Sequence, residues 1–211
     1  MTKRTGAVTG GAIVLLGALA NGCALGPPPP PAPERFDLGP PRALVERGAV
    51  IPATLLLPEV SAPAWLDGTG IVYRLSYDNA ARPQAYANSR WLSPPAALLT
   101  QRLRGRLAAA ANGVTTGYEG AQSDYALRVD LEDFSQSFTA PNASRVTMRA
   151  RASLVRLADR TLMAQRVFQD ERPAPSSDAR GAAAALAGAS DEVIERVTEW
   201  AGEQIRAGRK R

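Results

Sequence analysis

The ten residues from Arg145 to Leu154 alternate strictly between polar and apolar side chains. The apolar positions are Val146, Met148, Ala150, Ala152 and Leu154. Successive side chains of a β-strand point to opposite faces, so this pattern predicts a strand with one buried face and one face in water. Such strands belong to antiparallel sheets that are solvated on one side.

Two further strands are expected beside this one. Leu127, Val129 and Leu131 alternate with charged residues, and the apolar phase then shifts to Phe134 and Phe138. One extra residue near Asp133, a β-bulge, would produce that shift. Residues 158–161 form a short loop before another strand over 162–171. The stretch from 126 to 171 is therefore predicted to be an antiparallel meander.

The preceding part of the chain predicts two strands and a helix. Residues 54–57 form an apolar run, and residues 71–77 alternate so that Tyr73 and Tyr77 share the core-facing side. Ser93 and Pro94 predict an N-cap and a first-turn proline, and leucines then recur every four residues until the helix ends at Asn112-Gly113. These leucines are Leu99, Leu103 and Leu107.

A second helix is predicted from Ser177 towards Ile205, after the break at residues 173–175. Its apolar stripe comprises Val193, Ile194, Val197, Trp200, Ala201 and Ile205. The first helix lies between strands and should create at least one parallel pairing by crossing over. We therefore predict a single α/β domain with a mixed, mostly antiparallel sheet flanked by two main helices.

The N-terminal residues have the layout of a signal peptide. Lys3 and Arg4 precede an uncharged stretch that ends at Gly22, and its apolar core is too short to span a bilayer. The segment Leu19-Ala20-Asn21-Gly22-Cys23 resembles the lipobox of bacterial lipoproteins, which implies a signal peptide over 1–22 and a lipid on Cys23. The alternative is an ordinary secretory cleavage that leaves Cys23 as a free thiol.

Residues 23–34 contain a run of prolines, which favours extended polyproline II and predicts a semi-rigid tether. We expect the folded domain to occupy residues 35–206 and a basic tail to occupy 207–211. In the lipoproteins that this segment resembles, an aspartate after the cysteine favours inner-membrane retention. Ala24 stands there, so we expect an outer-membrane lipoprotein that faces the periplasm.

The chain contains no histidine, and Cys23 is its single cysteine. This composition excludes Ser-His-Asp and Cys-His catalytic sites and ordinary zinc sites. A hydrolase would have to use carboxylate pairs such as Glu132-Asp133, whose side chains point to opposite faces of a strand. We therefore predict no enzymatic activity, no cofactor and no metal site.

The net charge of +5 comes from the ends of the chain. The predicted signal contributes two positive charges and the C-terminal residues from Arg206 onward contribute four, which leaves the body at −1. A nucleic-acid-binding domain needs a basic face. We therefore expect no nucleic-acid partner.

Four segments, in this order behind the lipobox, resemble the ABC-type transport auxiliary lipoprotein family. They are Arg35-Phe36-Asp37-Leu38-Gly39, the run from Leu57 to Asp67, Ile71-Val72-Tyr73-Arg74, and Ser89-Arg90-Trp91 before the leucine-rich helix. The family includes the outer-membrane lipoprotein of the paraquat-inducible system. The resemblance implies an α/β fold similar to the N-terminal domain of the translocation protein TolB.

The resemblance also implies a non-enzymatic accessory role in lipid transport between the two membranes. The implied partners are a periplasmic protein of the mammalian-cell-entry type and its inner-membrane transporter, besides membrane lipid held through the acyl anchor. A homo-oligomeric ring is compatible with a conduit that meets a membrane end-on. The alternative function is assistance in assembling an outer-membrane barrel complex.

Arg90 and Trp91 are the candidate partner-binding residues. An exposed Arg-Trp pair has the composition of an interface hot spot. The alternative is that Trp91 packs in the core beneath the following helix.

Overall fold

The computed structural model describes residue 2 and residues 31–42 and 51–209. The predicted signal peptide, Cys23 and most of the predicted tether therefore lie outside the described residues. The folded unit is Pro33–Arg211. None of the helices in the described ranges is long and apolar enough to cross a membrane.

The described residues form one mixed sheet and three α-helices. The strands are β1 (Glu34–Phe36), β2 (Ile51–Leu56), β3 (Gly70–Leu75), β4 (Pro83–Trp91), β5 (Ala111–Thr115), β6 (Tyr125–Ala140), β7 (Ala143–Arg156) and β8 (Thr161–Pro173). The helices are α1 (Ser76–Asn79), α2 (Pro95–Ala108) and α3 (Ala179–Arg209), with a 3-10 turn at Ala64–Leu66.

Strand β6 organises the sheet. One of its edges pairs antiparallel with β7, which in turn pairs antiparallel with β8. The other edge is shared: its first residues pair in parallel with β2, and its later residues pair in parallel with β3. The β2 arm continues to β5 and the β3 arm to β4 and β1. The predicted meander and the predicted parallel crossover are both confirmed.

Helices α2 and α3 pack against one face of this sheet, where the core lies. Alternate residues of β7 from Val146 to Leu154 are at most 2% exposed and meet the buried stripe of α3. Phe168 of β8 stacks edge-on against Trp200 of α3, with 5.6 Å between ring centroids. The other face of the long strands carries exposed polar residues, as the alternation predicts.

The predicted bulge is confirmed at Glu132. Leu131 pairs with Ala150 and Asp133 pairs with Arg149, so Glu132 is the extra residue in β6. Without this insertion the later aromatics of β6 would point to the solvated face. The bulge instead buries Phe134 to 1% exposure.

The prediction that Tyr77 continues strand β3 is wrong. The strand ends at Leu75, and Ser76–Asn79 form a four-residue helical turn. Tyr77 is consequently 50% exposed instead of lying in the core. Tyr73 stays within β3 but is only half-buried, and its ring packs 4.7 Å from that of Tyr86.

Both predicted ends of α2 need correction. Pro94, not Ser93, occupies the N-cap position, and no side chain caps the helix there. The helix ends at Ala108, and Asn112-Gly113 lie inside β5, where Gly113 pairs with Thr54. A turn-forming dipeptide is tolerated in this short strand because β5 is an edge strand that pairs only with β2 among the described strands.

Three strands were not predicted, namely β1, β4 and β5. Strand β4 has the sequence Pro-Gln-Ala-Tyr-Ala-Asn-Ser-Arg-Trp, which is poor in β-branched residues. It forms because β3 on one side and β1 on the other supply hydrogen-bonding partners. Helix α3 also continues to Arg209, so it includes residues 207–209 of the predicted tail.

Candidate interaction surfaces

Arg102 of α2 joins three parts of the molecule. Its guanidinium donates to Asp191 Oδ1 of α3 at 2.7 Å and to the backbone oxygens of Leu38 at 2.5 Å and Gly39 at 2.6 Å. The side chain is only 9% exposed, so these charge-assisted bonds also satisfy a nearly buried cation. We call this arrangement the Arg102 clasp. It fixes the segment after β1 against both helices.

A second ion pair lies one turn further along α2. Arg106 donates to both carboxylate oxygens of Glu195 of α3, at 2.5 and 2.8 Å. These hydrogen bonds raise the pKa of Arg106 above its ordinary value. Arg102 and Arg106 therefore tie helix to helix, a role that the sequence analysis missed because their acidic partners are remote in the chain.

The two ion pairs form the floor of a groove of about 600 Å³ between α2, α3 and the segment after β1. Leu98 and Ile194 supply apolar lining, and Glu199 adds a carboxylate. The arginines of this floor are already paired with acids of the same chain.

The segment between β2 and β3 crosses the shared edge of β6. The amide of Val60 donates to Thr100 Oγ1 of α2 at 2.9 Å, and Ser61 bonds the Asp130 carboxylate of β6. Leu66 is buried to 1% exposure, while the neighbouring Trp65 remains 37% exposed beneath the guanidinium of Arg74. This run thus spans the gap between the two arms of the sheet.

The predicted partner-binding residues end strand β4. Trp91 is 1% exposed and packs 5.4 Å from the ring of Phe134, as the alternative interpretation expected. Its indole nitrogen has no hydrogen-bond partner among the described residues. The guanidinium of Arg90 donates to the backbone oxygens of Tyr86 and Ser89. Only Arg90 of the pair is accessible to a partner in this structure, and its binding role stays a prediction.

The solvated face of the sheet carries an ion-pair network around the bulge. Glu132 accepts hydrogen bonds from Arg149 at 2.7 Å and from Arg151 at 2.8 and 2.5 Å. These bonds lower the pKa of Glu132. The adjacent Asp133 is half-buried, and the resulting desolvation raises the pKa of that carboxyl. The carboxylate of Glu132 is therefore held in ion pairs with two arginines, an environment unlike that of the paired carboxyl groups of a glycoside hydrolase.

Tyr118 is the most exposed large apolar side chain of the described residues, at 93%. It lies in the loop between β5 and β6, and Glu119 of the same loop stabilises the loop's backbone. The Glu119 carboxylate accepts from the amides of Thr116 at 2.8 Å and Gly117 at 3.1 Å. Bonds to Thr116 lower the pKa of this carboxyl. No pattern in the sequence singled out this loop.

Metal-ligating side chains do not cluster in groups of three or more within the described ranges. The candidate interaction surfaces of the described residues are the α2–α3 groove, the solvated face of the sheet and the Tyr118 loop.

Comparison with known proteins identifies the family. A crystal structure of a protein from Xanthomonas campestris, assigned to the DUF330 family, has 21% sequence identity and a TM-score of 0.72, over 84% of this chain and 99% of that chain. A crystal structure of an uncharacterized protein has 17% identity and a TM-score of 0.61, over 81% and 99%.

At these identities the two structures establish the shared fold alone, and the expected likeness to TolB stays a prediction. No curated protein sequence matches the chain. The family model described as ABC-type transport auxiliary lipoprotein component matches residues 36–198. The chain therefore belongs to the ABC-type transport auxiliary lipoprotein family.

Proposed function

We propose that this chain is the outer-membrane-anchored, non-enzymatic auxiliary lipoprotein of an intermembrane lipid transport system. Its partners would be a periplasmic protein of the mammalian-cell-entry type and an inner-membrane ABC transporter. The observation that carries the proposal is the family match over residues 36–198. That membership makes the chain an auxiliary transport component that associates with an ABC transporter at a periplasmic membrane surface.

The anchor in this proposal is a lipid on Cys23. Three acyl chains, each contributing about 0.8 kcal/mol per buried CH₂, would hold the protein far more durably than one chain. The lipobox-like residues before Cys23 and the absence of a second cysteine support this role. Ala24 supports sorting to the outer membrane.

The folded unit is better suited to binding partner proteins than to enclosing a lipid molecule. The residues on the helix side of the sheet pack into one continuous core. The groove between α2 and α3 combines the paired charges of Arg102 and Arg106 with the apolar side chains of Leu98 and Ile194. Binding to partner proteins is the role that such a surface supports.

The test is crosslinking in living cells, followed by affinity purification and mass spectrometry of the full-length lipoprotein. Cys23→Ala serves as the control because it leaves the folded unit unchanged. We expect recovery of a mammalian-cell-entry-type protein and its transporter, lost or strongly reduced for Cys23→Ala. Recovery of an outer-membrane barrel without a transporter would overturn the proposal in favour of an assembly role.

Membrane sorting is tested separately by sucrose-gradient fractionation. The wild-type protein should sediment with outer-membrane markers, and Ala24→Asp should move it to the inner-membrane fractions. Sedimentation of the wild type with inner-membrane markers would contradict the outer-membrane assignment while leaving the auxiliary role intact.

A ring of several copies is part of the proposal, since a conduit that meets a membrane end-on needs a symmetric collar. Analytical ultracentrifugation of the detergent-solubilised lipoprotein measures its assembly state. A monomer at every concentration would contradict the ring.

A further inference from the structure

One end of the solvated sheet face carries apolar side chains, in contrast to the rest of that face. Leu56 of β2 pairs with Ala126 of β6, Ala126 pairs with Val155 of β7, and Val155 pairs with Leu162 of β8. Four strands thus place one apolar residue each in a single cross-strand row. We call these four residues the apolar row. At about 4.8 Å per strand it extends for roughly 15 Å.

The row faces away from the helices. Leu55, Tyr125 and Leu154 immediately precede Leu56, Ala126 and Val155, and all three belong to the core. Because neighbouring side chains of a strand alternate, the row lies on the opposite side of the sheet. Leu162 is 55% exposed, Leu56 and Val155 are half-buried, and Ala126, which lies between Leu56 and Val155, is buried to 1% exposure.

The Tyr118 loop extends this apolar surface. The backbone of Gly117 passes beside Leu56, whose Cδ1 lies 3.4 Å from where a Cβ would stand, and its φ of 95° is one that residues with a Cβ rarely adopt. The bonds from Glu119 hold the backbone of the loop in shape and so place Tyr118, the residue after Gly117, beside the row. Rigid aromatic side chains beside an apolar strip are typical anchors of protein interfaces.

Near the row the acidic side chains are hydrogen-bonded or ion-paired, whereas two arginines are not. Asp124 accepts from the amide of Thr54 at 2.8 Å, and Asp159 pairs with Arg156 at 3.0 Å. By contrast, Arg128 and Arg160 are exposed and have no hydrogen-bond or ion-pair partner in the described part of the chain. Arg128 lies two residues beyond Ala126 on the same face, about 7 Å away.

The row is distant from the point where the predicted tether joins the domain. Glu34 at that point forms an ion pair with Arg180 in the first turn of α3, at 2.7 Å. The last turn of α3 brings Gly208 against Met163, the neighbour of Leu162. Because α3 has 31 residues at about 1.5 Å each, the two sites are roughly 40 Å apart.

We propose that the apolar row, Tyr118 and the flanking Arg128 and Arg160 form the docking surface for a protein of the transport system. The partner's surface would carry an apolar strip flanked by carboxylates, which the two unpaired arginines complement. A protein is favoured over a lipid surface because the tether holds the opposite end of the domain to the membrane. The inference rests on the proposed function for the source of the partner and for the position of the lipid anchor.

The test is photocrosslinking in living cells with the full-length lipoprotein. A benzoylphenylalanine is placed at Tyr118 or Leu162, and at Leu92 as the matched control. Leu92 is also 55% exposed but lies at the end of β4 beside β1. We expect adducts at Tyr118 and Leu162 with one component of the transport system, at least tenfold stronger than at Leu92. The crosslinked peptide should contain apolar residues next to carboxylates.

Charge reversal supplies an independent readout. Arg128→Glu combined with Arg160→Glu should lower the adduct yield at Leu162 at least fivefold. Arg145→Glu, an exposed arginine at the far end of the same face, should leave the yield within twofold of the wild type. Equal effects of the two changes would overturn the charge argument.

Three other outcomes would overturn the docking surface. Adducts of twice the mass of the chain would assign the row to a second copy, and lipid adducts would assign it to a membrane. Equal adducts at Leu162 and Leu92 would show that the row has no selectivity. If purification still recovers the transporter in a Cys23-dependent manner, only the surface is wrong; if that recovery also fails, the proposed function fails with it.

Discussion

Trp91 was a candidate partner-binding residue because of its residue type, but the structure places it in the core. At 1% exposure against Phe134, the ring fills space in the core. We expect Trp91→Ala to lower the free energy of unfolding by about 3–5 kcal/mol, as large-to-small core changes do. Trp91→Phe should cost much less, because it also removes an indole N–H that has no acceptor among the described residues. Urea denaturation measures both, and equal losses would contradict this account.

Glu132 gives the residue-scale prediction for pH. Its pKa is lowered by hydrogen bonds from Arg149 and Arg151, so it stabilises the fold above its unfolded pKa of about 4.3. That contribution is lost as the pH falls through the lower folded-state value. Glu132→Gln should lower the free energy of unfolding at pH 7 by no more than about 1 kcal/mol, because solvent screens the pair. The difference from wild type should shrink as the pH falls below that unfolded value and vanish once Glu132 is protonated in the folded state as well.

The control for Glu132 is Glu59→Gln, which removes the same charge from an exposed position. Chemical denaturation of the three proteins across the pH range separates the local effect from the change in net charge. A pH-independent loss for Glu132→Gln would indicate that packing, and not the ion pairs, is responsible.

At the scale of elements, helix α3 depends on the cap at its start. Asp178 Oδ1 accepts from the amide of Gly181 at 2.8 Å and from Ser176 Oγ at 2.7 Å. The bond from Gly181 lowers the pKa of this carboxyl. Asp178→Ala should therefore lower the free energy of unfolding by about 1 kcal/mol, whereas Asp178→Asn should retain most of the stability. Thermal unfolding at neutral pH compares them, and equal losses would contradict a capping role.

The elements also differ in how strongly the local sequence predicts them. The alternation in β7 and the leucine spacing in α2 are local patterns, and both elements form where these patterns lie. Strands β1, β4 and β5 have weak patterns and form because neighbouring strands supply hydrogen-bonding partners. The ends of α2 were wrong for a related reason: Asn112-Gly113 favours a turn locally, but pairing with β2 holds it in a strand.

For the whole molecule, the topology predicts an order of hydrogen exchange. Strand β7 is paired on both edges, whereas β8 is paired on one edge within the described sheet. Amide hydrogen exchange, measured on the full-length lipoprotein, should therefore be at least tenfold slower for the amides of β7 than for those amides of β8 that point away from β7. Equal protection of β8 would mean that its free edge is paired by another chain, as a ring of copies could provide.

The sequence by itself determined the class of fold, the bulge, the two main helices and the family resemblance. Each of these depends on local periodicity or on an ordered set of short motifs, which are properties of neighbouring residues. The predicted lipid on Cys23 is of the same kind, although it lies outside the described residues.

Only the tertiary structure decided which surfaces are available. It paired Arg102 and Arg106 with acids 89 residues away and buried Trp91, while it left Tyr118 exposed. It also aligned the four residues of the apolar row, none of which the sequence analysis singled out. The physical reason is that ion pairing, burial and cross-strand register depend on residues that are distant in the chain and meet only when the sheet closes against its helices.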